Sequence, residues 1–244
     1  MRTIIRLPES PVAETALHGE VSVEELAHGA NPTGFAHQFE DLDQQHEAGR
    51  LGMWIFLATE ILFFGGMFAS YTIYRALHLP AFETGSHLLE VKFGATNTAV
   101  LICSSLTMAM AIRSAATGKK KSQTITYLIL TMLLGAAFIG IKLWFEWHRD
   151  FVDGIVPGLN WTYNGPHAPG VQMFMCFYFF MTGLHALHMV VGIGILAVLT
   201  VMAARGRFSK QYYAPLEISG LYWHFVDIVW IFLFPLLYLI GGRY

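Results

Sequence analysis

Five apolar runs, each at least the roughly 20 residues a helix needs to cross a hydrocarbon core, constrain this chain more than any other feature. They lie at about 51–75, 95–115, 124–147, 171–203 and 219–241. The expected fold is all-α, a polytopic membrane bundle of five transmembrane helices. Composition agrees: 55% of residues are hydrophobic and 13% are charged. An ordinary soluble domain carries about a quarter charged residues. The fourth run is 33 residues long, roughly 50 Å as a helix. It must tilt or protrude from a hydrocarbon core of about 30 Å.

The formal net charge of -2 hides an uneven distribution, since nine of the 17 acidic residues lie between Glu9 and Glu47. Residues 1–48 therefore read as a polar, acidic extension before a five-helix domain over 49–244. His18, His28, His37 and His46 are interspersed in it, and solvation of the cytoplasmic face is its simpler role than partner binding. Pro8, Pro11 and the acidic residues stand where a cleavable signal peptide would need an apolar core, so none is expected. Lysine and arginine set the orientation. Arg2, Arg6, Arg50, Arg113, Lys119, Lys120, Lys121, Arg205, Arg207 and Lys210 fall on one side. Arg75, Lys92, Arg149 and Arg243 fall on the other, with Lys142 near the end of the third helix. The positive-inside rule predicts a cytoplasmic amino terminus and a periplasmic carboxyl terminus. Trp144, Trp147 and Trp161 then sit at the outer boundary, and the Pro- and Gly-rich residues 154–170 form an outer loop.

Cys103 and Cys176 have no CxxC neighbour, which leaves zinc and iron–sulfur frameworks without support and makes buried small hydrophobes of both. Phosphate-cradling glycine motifs and repeats of 20–50 residues are also missing. Gly65, Gly66, Gly135, Gly140 and Gly183 lie inside spans, where small residues permit close helix contact.

What remains is a short set of ionisable groups at membrane depth: Glu60, His185, His188, His224 and Asp227. A charge there costs at least about 2.5 kcal/mol on insertion scales, so each needs a reason. Glu60 stands ten residues into the first span with no basic residue within two turns. Its plainest reading is an interhelical hydrogen bond to Thr, Ser or His; proton movement or lipid binding is the alternative. His224 and Asp227, at i and i+3, share a helix face, as do His185 and His188, and the two polar faces are placed to meet. The four make a chemically conceivable ligand set for zinc, iron or copper. A single seam, however, does not easily supply both the ligands and the partners that orient them. Haem fits no better among such bulky aromatic neighbours.

The stretches GMWIFLATEILFFGGMFASY (52–71), NTAVLICSSLTMAMA (97–111), FYFFMTGLHALHMVVG (177–192) and YWHFVDIVWIFLFPLLYL (222–239) resemble successive blocks of subunit III of the haem–copper terminal oxidases. The similarity spans roughly residues 50–241. It implies an accessory subunit of an enzyme that reduces oxygen to water coupled to proton pumping. Such a subunit carries no catalytic centre, haem or copper of its own, those centres belonging to partner subunits. The implied partners are subunit I directly, subunit II and other subunits, membrane lipids with bound phospholipid, and a respiratory supercomplex, with no nucleic acid. The implied roles are stabilising subunit I, binding phospholipid and supporting proton uptake, in a bacterial cytoplasmic membrane.

Residue by residue, the resemblance places the family's membrane-buried glutamate at Glu60, and His185, His188, His224 and Asp227 as proton-network or lipid candidates. Asn97, Tyr222 and Trp223 are structural motif positions. The mitochondrial-type subunit has seven spans, and the similarity here begins at the third. That looks like the five-span bacterial form, including quinol-oxidising types, in which subunit I supplies the missing pair. Cytochrome c oxidase is the leading expectation and quinol oxidase the alternative. A nitric oxide reductase accessory protein and an autonomous metalloprotein using the histidine seam are further classes. A proton-coupled transporter is disfavoured by the lack of an inverted repeat.

Overall fold

The structure, a computed structural model, describes residues 42–118, 120–208 and 212–240. Five helices in it are long and apolar enough to cross a membrane. Lipid offers no water to backbone amides and carbonyls, so runs this apolar fold as helices whose bonds close internally. They are α1 (Leu42–Leu77), α3 (Val91–Ala116), α4 (Lys121–Ile141), α6 (Ala168–Ala204) and α7 (Ala214–Tyr238). A short helix, α2 (Leu79–Leu88), follows α1, and α4 runs on through a π-helical stretch at Lys142–Trp147 into α5 (His148–Val152).

Local chemistry sets the ends. Proline stands in the first turn of α2, α6 and α7, where its missing N–H costs nothing. Gly118 and Gly206, with φ of 63° and 72°, close α3 and α6 in the left-handed conformation that stops a helix. Several bounds differ from those read from composition. Helix α1 begins at Leu42, nine residues before the apolar run, so residues 42–48 at the end of the polar segment are helical. The third span reaches Val152. Hydropathy marks where lipid ends, whereas a helix continues as long as its hydrogen bonds do. The acidic residues before Leu42, the histidines at 18, 28 and 37, and Lys119, Lys210 and Arg243 lie outside the described residues.

Helices α3 and α4 form the most extensive pair, α7 packs on α3, α6 and α1, and α6 packs on α4 and α2. Helix α1 sits at the side. Of its most apolar stretch only 17% is buried, against 50% for α7. The core is aromatic: Trp223, Trp230, Tyr71, Tyr178 and Phe138 are among the largest fully buried side chains. Glycine admits some of these rings. A Cβ on Gly135 would stand 2.8 Å from the Trp223 ring and one on Gly192 2.9 Å from the same ring. The other small residues singled out in sequence behave differently. Among the described residues nothing lies within 4 Å of a Cβ on Gly65, Gly66 or Gly140, and Gly183 meets only Trp147 at 3.8 Å. Cys103 and Cys176 are likewise exposed and free, not buried. In a membrane protein, apolar and small side chains also face outward, so composition alone does not mark the core.

Candidate functional site

The five ionisable residues separate into three sites on different helix faces. His185 and His188, three residues apart, point about 60° away from each other around α6. That rotation is enough to give them different neighbours.

His188 faces α1. Its Nε2 lies 3.2 Å from Glu60 Oε2, and the two side chains are 17% and 18% exposed. Its Nδ1 lies 2.8 Å from the Leu184 carbonyl, which only accepts, so Nδ1 carries the hydrogen. With Nδ1 thus committed, Nε2 and Glu60 share one hydrogen bond that a proton can occupy from either side. Tyr222 donates to the His188 carbonyl at 3.0 Å, tying the α7 motif to the same turn of α6. Phe64, one turn beyond Glu60, packs edge-on against the imidazole with ring centres 5.3 Å apart.

His185 faces α4 and α7 instead. Fully buried, it lies edge-on to Phe138 at 5.4 Å and tilted over Trp230 at 5.2 Å. Among the described residues neither of its ring nitrogens has a hydrogen-bond partner. His224 faces α3, its Nδ1 2.7 Å from Ser105 Oγ, and Asp227 lies in the same groove between α3 and α7. The expected joining of the α6 and α7 polar faces therefore does not occur. The side of α7 that meets α6 presents Tyr222 instead. Trp223 reaches from α7 to Ser104 at 3.0 Å, and Asn97 is fully buried. Among the described residues no group of three or more His, Cys, Asp or Glu side chains is placed to hold a metal ion.

The largest polar cluster is one that reasoning from sequence missed. Lys142 and Glu146, 1% and 2% exposed, pair at 2.8 Å inside the bundle. The Lys142 ammonium also donates to Tyr178 at 3.0 Å and to Tyr238. Its three hydrogens thus meet three oxygens. Both tyrosines in turn donate to the Glu146 oxygen that the lysine holds, Tyr178 at 3.1 Å. Aromatic faces line the rest, with the Tyr178 ring centre 4.5 Å and the Trp230 ring centre 5.3 Å from the ammonium. The π-helical stretch makes this arrangement local: it turns Leu143, Trp144 and Phe145 out while Lys142 and Glu146 turn in. Asp150, four residues further and also buried, lies 4.0 Å from Arg149, which reaches Glu90 at 3.2 Å. The four-residue spacing of Lys142, Glu146 and Asp150 was a visible signal of a shared face. Reading Lys142 as a boundary residue obscured it.

The described residues thus form a bundle of membrane-crossing helices joined by polar pairs between spans. Comparison with known proteins agrees. The family model for cytochrome c oxidase subunit III matches residues 43–242, and the chain belongs to that family. Cytochrome bo(3) ubiquinol oxidase subunit 3 of Pseudomonas aeruginosa is 34% identical, over 85% of this chain and 94% of its own length. Quinol oxidase subunit 3 of Bacillus spizizenii is 33% identical, over 82% and 92%. A probable quinol oxidase subunit 3 of Staphylococcus aureus is 30% identical, over 86% and 98%. The chain is thus an integral membrane subunit of a haem–copper oxidase complex.

Proposed function

We propose that the chain is the non-redox subunit III of a quinol-oxidising haem–copper oxidase in a bacterial cytoplasmic membrane, and that it stabilises subunit I, holds phospholipid and supports proton uptake. The observation that carries the quinol assignment is the naming of the three relatives above, each matching more than four-fifths of the chain and called a quinol or ubiquinol oxidase subunit. This refines the cytochrome c expectation drawn from sequence blocks, which the two enzyme types share. Haem and copper belong to partner subunits in this reading.

The proton role rests on Glu60 and His188. With Nδ1 donating to Leu184, a proton on Glu60 passes to His188 Nε2 and leaves a carboxylate facing an imidazolium across the same 3.2 Å. Neither end needs to move, and the pair lies on the loosely covered side of the bundle, next to α1. Basic residues at the α3–α4 and α6–α7 turns support an orientation with the amino terminus in the cytoplasm.

The test is purification of the tagged chain from its native membrane in mild detergent. A reduced-minus-oxidised visible spectrum, identification of co-purifying chains, and oxygen consumption with a short-chain quinol or reduced cytochrome c then follow. Haem bands with quinol-driven consumption are expected. Consumption driven by cytochrome c alone overturns the quinol reading, and a colourless preparation without partners overturns the accessory role.

A further inference from the structure

The groove between α3 and α7 carries a polar notch that the Glu60–His188 pair does not use. It measures 460 Å³, within the range of small-molecule sites. Its walls include Ile102, Leu106 and Ile228, each more than half exposed. At its base stand Ser105, His224 and Asp227. Asp227 is 3% exposed, and among the described residues neither carboxylate oxygen has a hydrogen-bond partner. The Ser105 hydroxyl lies close enough to interact with the carboxyl and is shared with His224, whose Nδ1 stands 2.7 Å from it. A carboxyl buried this deeply with only a shared hydroxyl beside it has capacity for a further hydrogen-bond partner.

Depth narrows what fills it. Asp227 lies 13 residues beyond Ala214, about 20 Å along a 25-residue helix, and Ser105 lies 14 residues into a 26-residue one. The notch is therefore near the middle of the membrane, beyond reach of phospholipid head groups at its boundaries. A ligand must bring its own polar head to mid-depth on an apolar tail. An ionised fatty acid would carry an unpaired charge to mid-depth, which lipid disfavours, and a sterol or diacylglycerol brings only a hydroxyl. A quinone ring carries oxygens at opposite poles, accepting hydrogen bonds when oxidised and donating them when reduced.

We propose that the groove between α3 and α7 binds the head group of an isoprenoid quinol or quinone, with His224 and Asp227 as its hydrogen-bonding partners. The imidazole donates to a ring oxygen, and a quinol hydroxyl donates to Asp227, while Ile102, Leu106 and Ile228 line the path of the tail. The site holds the molecule beside the complex and performs no electron transfer. This inference rests on the quinol reading for the supply of its ligand.

The test is photolabelling of the intact purified complex with an azido-ubiquinone of short tail, followed by peptide mapping. The wild-type complex, Asp227→Leu and Ile102→Trp are compared, the last filling the groove without touching a polar group. Label on α3 or α7 peptides is expected, displaced by unlabelled short-chain ubiquinone and reduced about tenfold in both variants, or in Ile102→Trp where Asp227→Leu fails to assemble. Label confined to other subunits, or label on α3 and α7 unchanged in Ile102→Trp, overturns the proposal. A cross-link from residue 228 to subunit I also overturns it, since protein then fills the groove. Electron-donor activity of the same wild-type preparation separates the two failures. Quinol oxidation without groove labelling leaves the quinol reading standing, and labelling in a complex that oxidises only cytochrome c does the reverse.

Discussion

Lys142 and Glu60 are both ionisable side chains within membrane-crossing helices, yet their surroundings differ in kind. Lys142 is 1% exposed, and each of its hydrogens meets an oxygen of Glu146, Tyr178 or Tyr238. Glu60 has a single imidazole opposite it, is 18% exposed, and stands on the helix with the least buried apolar stretch. An enclosed network whose lysine is fully engaged ties three helices together in register. A two-member pair at an open seam can change its proton without disturbing the bundle. In the proposed reading the first is architecture and the second serves proton uptake.

The difference is breakable. The largest effect is expected from Lys142→Met, which leaves Glu146 and two tyrosine hydroxyls without their shared donor. Breaking a buried pair costs about 3–5 kcal/mol, so the subunit should be lost from the purified complex. Adding Glu146→Leu in the same chain should restore much of it, read as subunit content per haem; no recovery would mean that the network does more than hold helices. Next comes Gly192→Leu. Its side chain would drive into the Trp223 ring, already 2.9 Å from a bare Cβ, at a cost of about 1–3 kcal/mol in a melting experiment. Gly65→Leu sharpens the contrast. With nothing within 4 Å among the described residues, it should leave the melting of the isolated subunit alone and weaken the complex only where subunit I seats against α1. The smallest effect is expected at Arg50, whose exposed pair with Glu217 at 3.0 Å should be removable by Arg50→Ala without a measurable shift in melting.

Much of this architecture was legible because lipid simplifies the code: a run of about 20 apolar residues has one stable answer. Helix ends were less legible, since α1 starts in polar residues at Leu42 and the third span continues through Lys142, Glu146 and Asp150. The short α2 carries no span-length signal at all. At the site, Glu60 and His188 stood out as expensive groups, but their pairing depends on the rotation of α1 against α6, which no local pattern encodes. The rotations of α6 and α7 against their own neighbours likewise set His185 in an aromatic pocket and His224 beside Ser105. The lysine cluster was hidden for the opposite reason: its members are spread over residues 142 to 238, and two are tyrosines that read as ordinary core.

The division between architecture and function meets its sharpest trial in Glu60→Gln, followed through prolonged turnover of the purified complex. Glutamine keeps a hydrogen bond to His188 but gives up no proton. Subunit content, haem spectrum and initial rate should match the wild type, while activity decays after fewer turnovers. A decay curve identical to that of the wild type would return Glu60 to the class of Lys142, a group that joins helices and does nothing more.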